Sequence, residues 1–221
     1  MDTSTDPGPV FLAATEFLDW HHDNVQRFTR MAIGDSQDPV TRARRLFLAV
    51  RDNIWYDPYS ADDDADHYRA SYIASVTRAY CVPKAVLLTA AARAAGIPAR
   101  LGFADVRNHL QTDTLRTRMG GTDVFVYHGY AELFVNSRWV KATPAFNAEL
   151  CARFGVPPIA FDGEHDALLH PYDAEGRQHM EYLHDRGWYA DLPFAEIISE
   201  LRQRYGALLQ APPPERDTFA N

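Results

Sequence analysis

Two of the 221 residues are cysteines, and their surroundings differ. Cys81 stands before Val82-Pro83 and an alanine- and leucine-rich run that closes on Gly96-Ile97-Pro98. Proline is tolerated only in the first turn of a helix, and a Gly followed by a proline ends one. The spacing therefore predicts a helix from Cys81 to about Ala95, with the cysteine at its N-terminus. Unpaired N–H groups and the macrodipole at such an end favour a thiolate, the nucleophilic form, and Lys84 one turn on adds positive charge. A free cysteine is otherwise a buried, inert thiol, and Cys151, with no helix-start signal, reads that way. A nucleophilic thiol needs a base, and the base needs an orienting partner. His128, in YHGYAELFVNSRWVKATPA, is the candidate base, because a strand histidine and an acceptor on the next strand lie side by side across a hairpin. Taken alone, His128 also fits a core histidine donating to a backbone carbonyl.

The elements that position these residues follow from periodicity and turn chemistry. Val10 to Trp20 carries Phe11, Leu12, Phe17, Leu18 and Trp20, roughly one helical face. His21-His22 would end that helix, where histidine complements the dipole. A second helix fits Pro39 to Ile54, with Leu46, Phe47, Val50 and Ile54 as its stripe. Tyr56 to Asp66 has turn residues and an acidic run and reads as a surface loop. Strands are expected at Arg100 to Val106 and Val124 to Val135. Asn136-Ser137-Arg138 turns the chain into Trp139 to Thr143. After Pro144 the pattern weakens into irregular coverage of the core. A last helix runs from about Asp191 to Tyr205, and the tail from Ala211 to Asn221, with its three consecutive prolines, reads as disordered. The whole chain, 1–221 with a core of about 7–209, is expected to be a single α+β domain.

At this point the residues carry a resemblance. YCVPKAVLLTAAARAAGIPAR followed by HGYAELFVNSRWVKATP resembles the transglutaminase-like, papain-like cysteine enzyme superfamily. In its usual pattern a Cys opens a helix ending in a GIPAR-type turn. An H-x-W/Y-x-E strand and, after a hairpin, W-x-x-x-D-P then follow. Cys81, Arg93 to Arg100, His128, Tyr130, Glu132, Trp139 and Pro144 match. The resemblance implies a Cys–His–Asp arrangement, a catalytic helix packed on an antiparallel β-sheet with additional N- and C-terminal helices, and acyl-thioester chemistry. The third catalytic position falls on Thr143, where the family usually has Asp. A threonine hydroxyl can fix the imidazole tautomer but supplies no negative charge. Three readings stay open: Thr143 orients His128, or Asn147, Glu132 or Asp162 does, or the site is degenerate. The stretches Arg107-Asn108-His109 and Lys141 to Asn147 resemble a bacterial subgroup of the superfamily. The likeness to arylamine acetyltransferases is weaker, because Ala79-Tyr80-Cys81 stands in place of their R-G-G-x-C block.

Arg107, Asn108 and His109 follow a predicted strand and could border the cleft as substrate-binding residues, with Arg107 clamping an anionic group. They equally fit a strand-end hydrogen-bond cluster. His165, His170, His179 and His184 lie among acidic residues, but their spacing matches no metal motif, so a solvated polar segment is expected, with no metal and no cofactor. Asp62-Asp63-Asp64 lacks the glycine and glutamate of a calcium loop. The net charge of −8 argues against general nucleic-acid binding, and no apolar run is long enough to span a membrane. The expectation is a cytoplasmic cysteine hydrolase, peptidase or acyltransferase acting on a small-molecule or peptide amide, with Cys81 as nucleophile and His128 as general base and acid. The alternative is a catalytically inactive binding module that has kept the fold.

Overall fold

Cys81 begins a helix because the chain leaves it no other option. Pro83 fixes the first turn, alanine and leucine propagate it, and Gly96 at φ 79° turns it off. Every residue from Cys81 to Arg93 of this helix is buried, the pattern of a helix enclosed on all sides. A computed structural model of the chain describes residues 7–210 and Phe219. In chain order it contains α1 (Asp23–Ile33), α2 (Pro39–Asn53), β1 (Trp55–Tyr56), α3 (Ala70–Ile73), β2 (Arg78–Ala79), α4 (Cys81–Ala94), β3 (Ala99–Asn108), α5 (Asp113–Arg118), β4 (Val124–Val135), β5 (Arg138–Ala142), α6 (Ala148–Phe154), β6 (Met180–Tyr189) and α7 (Phe194–Gln210). The main sheet is antiparallel in the order β5-β4-β3-β6, and β1 pairs with β2 in parallel. Helix α4 packs on α1, α2 and α3 and also on β3 and β4, so the central helix is sandwiched between helices and sheet. The fold is the α+β arrangement of a helix on an antiparallel sheet.

Two buried basic side chains, Arg93 and Lys84, and the half-buried Arg100 hold this frame. Arg93 donates to the carbonyls of Ala99, Ala13 and Ala190 at 2.9, 2.6 and 2.8 Å, joining the N-terminal segment, the start of β3 and the end of β6. Lys84, fully buried, donates to the carbonyls of Arg51 and Ile54 at 2.9 and 2.6 Å and so satisfies the C-terminus of α2. Arg100 pairs with Glu132 at 2.6 Å and lies over the rings of Trp139 and Trp188 at 4.1 and 4.5 Å.

Several sequence expectations are corrected. Val10 to Trp20 is not a helix: only Pro9–Phe11 forms a 3₁₀ turn, and the rest is irregular. Phe17 and Leu18 reach the core while Val10 and Leu12 stay exposed, so the apolar spacing reflects separate anchors. The first α-helix begins instead at Asp23, and His22 caps its N-terminus, accepting the Asn24 N–H on Nδ1 at 3.2 Å, rather than closing a preceding helix. Tyr56, Asp57 and Tyr59, expected in a surface loop, are buried. The segment after Pro144 holds α6 and the edge strand β6, and His179 of the supposed solvated run is buried. The tail expected to be disordered lies outside the described residues except for Phe219, which is buried.

Candidate active site

The sulfur of Cys81 sits where α4 meets β4. Strand β5 ends at Ala142, opposite Ala131, so at 128–130 the edge of β4 on that side has no strand partner among the described residues. There the backbone N–H of Gly129 faces Cys81 Sγ. A Cβ on Gly129 would lie 3.0 Å from Val82 Cα, 3.2 Å from the Cys81 carbonyl oxygen and 3.3 Å from Ala85 Cβ. Only glycine lets helix and strand approach this closely. His128 is thus adjacent in sequence to the residue in contact with Cys81. It stands at the end of a bulge created by Tyr127, whose φ is 53°.

Thr143 follows β5 directly. Continuing the β4–β5 ladder past Ala131 and Ala142 puts Thr143 beside Tyr130, two residues from His128 and on the same face. His128 Nε2 and Thr143 Oγ1 are both buried and have no hydrogen-bond partner among the described residues. Thr143 Oγ1 lies beside the Tyr182 hydroxyl but not in hydrogen-bonding geometry, and that hydroxyl accepts the Leu169 N–H at 3.3 Å. The Tyr182 ring stands edge-on to His128 with centroids 6.5 Å apart. On this face of the sheet a cleft of about 410 Å³ is lined by Tyr130, Lys141, Leu168, Tyr182 and Asp185 among others. Gly102 makes room for one wall, since a Cβ there would fall 2.2 Å from the Tyr130 ring.

Cys81, His128 and Lys84 are all buried, and burial governs their ionisation. Burial pushes the Cys81 thiol up to about 11, although the N–H groups of Gly129, Val82 and Cys81 itself and the charge of Lys84 act in the opposite sense. The helix N-terminus expected to favour a thiolate is present, and desolvation acts against it. Burial likewise pushes His128 down to about 4 and Lys84 down to about 7.

The other candidates have partners elsewhere. Glu132 is held by Arg100, Asp162 pairs with exposed His165 at 2.7 Å, and Asn147 Oδ1 accepts the Tyr56 N–H at 3.1 Å. Arg107 contacts Asp123 at 3.3 Å and Glu181 at 3.1 Å, His109 contacts Glu181 at 3.3 Å, and Asn108 accepts the Leu110 N–H at 2.9 Å. This cluster clips β6 to the end of β3. Cys151 is buried in α6. Gly129 and Tyr182 were missed by sequence reasoning. A glycine inside a strand pattern signals close approach, whereas nothing near Tyr182 in sequence links it to His128.

The sequence pattern of the transglutaminase-like superfamily matches residues 26–144. Two solved structures are similar at low identity. One is a candidate cysteine protease from Cytophaga hutchinsonii, 17% identical, with a TM-score of 0.45, matched over 61% of this chain and 40% of its own. The other is a candidate protease from Parabacteroides distasonis, 16% identical, with a TM-score of 0.40, over 61% of this chain and 26% of its own. The chain thus spans less than half the length of either. No curated protein matches. Among the described residues no helix is long and apolar enough to cross a membrane.

Proposed function

Since the chain belongs to the transglutaminase-like superfamily, we propose that it is a cysteine-dependent acyl-transfer enzyme, an amide hydrolase, peptidase or acyltransferase that works through an acyl-thioester on Cys81. One observation carries this reading. The residue that opens α4 touches Gly129, next to a histidine whose Nε2 is buried without a partner. A buried ring nitrogen left unpaired costs about 1–3 kcal/mol, and a proton-accepting role gives it a use.

In the proposed reaction His128 takes the Cys81 proton as sulfur attacks the acyl carbon, since burial disfavours the charged form of each group. The N–H groups of Cys81 and Gly129 are the main-chain donors at hand for the oxyanion. The imidazolium returns its proton to the leaving amine, and water or an amine then releases the acyl group. Thr143, on the His128 face of the hairpin, is assigned the orienting role, with Glu132, Asn147 and Asp162 engaged elsewhere. The imidazolium then lacks a carboxylate partner, which predicts a slower enzyme than one with aspartate. Arg107, Asn108 and His109 are assigned to the cleft edge, where a substrate carboxylate would displace Glu181 from Arg107. A reducing, cytoplasmic setting suits a chain whose two cysteines are both unpaired.

The second reading, an inactive binding module, draws on Thr143 and on the raised Cys81 thiol. Competitive alkylation with iodoacetamide across pH separates the two. The enzyme reading predicts that Cys81 outpaces Cys151 and that His128→Ala removes the difference. Equal rates at both cysteines in the wild-type chain would overturn it.

A further inference from the structure

Phe219 is buried in a box of aromatic rings. Its centroid lies 5.2 Å from Phe154, 5.9 Å from Tyr56 and 6.2 Å from Tyr59. Its own carbonyl accepts a 2.6 Å hydrogen bond from Trp55 Nε1. Tyr56 belongs to both this box and the candidate active site: the phenol is buried and close enough to Cys81 for a thiolate there to raise its ionisation further. Strand β1, which carries Trp55 and Tyr56, pairs with β2, and Cys81 follows β2 by one residue.

A buried main-chain carbonyl must find a donor. Here a side-chain N–H captures the main-chain carbonyl while the rings surround the side chain. Main-chain bonding for affinity with a pocket for the side chain is the way proteins hold an extended peptide. Two arginines stand at the rim, the Arg153 guanidinium 4.8 Å over the Trp55 ring and also paired with Glu149 at 3.0 Å, and that of Arg118 5.0 Å over the Tyr59 ring. In the sequence Glu215 and Asp217 precede Phe219, so a peptide of this sequence carries charge opposite to that of the two rim arginines.

We propose that the box formed by Trp55, Tyr56, Tyr59 and Phe154 is a subsite for an aromatic residue in an acidic peptide, adjoining the nucleophile, and that Phe219 occupies it in cis. Calling it a substrate subsite rests on Cys81 being the nucleophile; the binding itself does not. The substrate class is then a peptide or peptide-like amide with a phenylalanine or tyrosine near the acyl carbon, and the chain's own Phe219 competes with it.

The test uses full-length protein, its Phe219→Ala and Phe219→Leu variants, and the synthetic peptide acetyl-Asp-Thr-Phe-Ala-Asn. A tethered segment acts at an effective concentration of about millimolar, so the wild-type chain should bind the peptide about tenfold or more weakly than Phe219→Ala does. Calorimetry reads this without any turnover. The same peptide with alanine for phenylalanine should not bind. Alkylation of Cys81 should be faster in Phe219→Ala and slow again when the peptide is added. Phe219→Leu keeps apolar volume and guards against a variant that simply unfolds: it should melt near the wild type yet bind the peptide more tightly than the wild type. If neither folded variant binds the peptide, or if both bind it no better than the wild type, Phe219 is a core residue and the subsite is refuted. Peptide binding without acylation of Cys81 would support the subsite and overturn the catalytic reading instead.

Discussion

Gly129→Ala tests the contact on which the site depends. The added methyl would meet Val82 Cα at 3.0 Å, the Cys81 carbonyl oxygen at 3.2 Å and Ala85 Cβ at 3.3 Å. None of these is the flexible end of a side chain, so relief requires the first turn of α4 to retreat from β4 by a few tenths of an ångström. Overpacking of a tight core costs about 1–3 kcal/mol. For a chain of this size each kcal/mol lowers the melting temperature by about 2–4 °C, so a fall of roughly 2–12 °C is expected. Activity should fall further than stability, because a misplacement on the order of 1 Å costs about 100-fold in rate. A smaller retreat of Cys81 from His128 predicts a loss of about tenfold in Cys81 acylation. Thermal melts and acylation by an activated ester read the two effects on one sample. Gly206→Ala is the control, with nothing within 4 Å of the new methyl. A Gly129→Ala protein that melts with the wild type and acylates at its rate would refute the helix–strand contact as the organiser of the site.

Other outcomes follow from the buried titratable groups. His128 and His179 are each held down to about 4 by burial, below the ordinary 6.5. Their folded forms resist protonation that the unfolded chain accepts, so stability is full above pH 6.5 and is lost as pH falls toward 4, by up to about 3 kcal/mol for each group. Urea titrations at a series of pH values should show this slope, roughly halved in His128→Gln; an unchanged slope would contradict the burial of His128. Lys84→Met leaves the Arg51 and Ile54 carbonyls without their donor and should cost about 1–3 kcal/mol near pH 10.5, where the unfolded lysine also sheds its proton and little ammonium desolvation is relieved. Because Lys84 is depressed to about 7 in the folded chain, the wild type should gain stability relative to Lys84→Met between pH 7 and 9. Parallel profiles would contradict a buried, depressed lysine. Gly102→Ala should displace the Tyr130 ring from the cleft wall, and a change in the fluorescence of a cleft-binding dye without a change in far-ultraviolet circular dichroism would read it; an unaltered dye signal would count against the packing of Tyr130 on Gly102.

The parts legible in the sequence are those whose burial is periodic or whose ends carry strong punctuation. Pro39 and Asp38 start α2, with Leu46, Phe47 and Val50 inward. Pro83 and Gly96 bracket α4. Asn136 and Ser137, at φ 50° and 61°, make the two-residue turn between β4 and β5. Helix α1 escaped notice because only Val25 and Thr29 are buried, too narrow a stripe to register. Strand β6 escaped because it is an edge: Tyr182, Leu183 and Trp188 are exposed, and the alternation that marks a half-buried strand is missing. At the site, Cys81 and His128 were visible as a helix-start thiol and a strand histidine. Their electrostatic state was not, because burial is a tertiary property. It reverses what the helix N-terminus alone would do to the thiol. Tyr182 reaches His128 only through the pairing of β6 with β3, which no local pattern encodes.

The central claim is that Cys81 carries an acyl group with His128 moving the proton. Incubation with p-nitrophenyl acetate, an acid quench and mass mapping of the intact and digested chain test it most directly. The account predicts an acetyl adduct on Cys81, none on buried Cys151, and a strong loss of the Cys81 adduct in His128→Ala with the fold unchanged. Equal acetylation of the two cysteines, or a Cys81 adduct that forms at the same rate without His128, would contradict it.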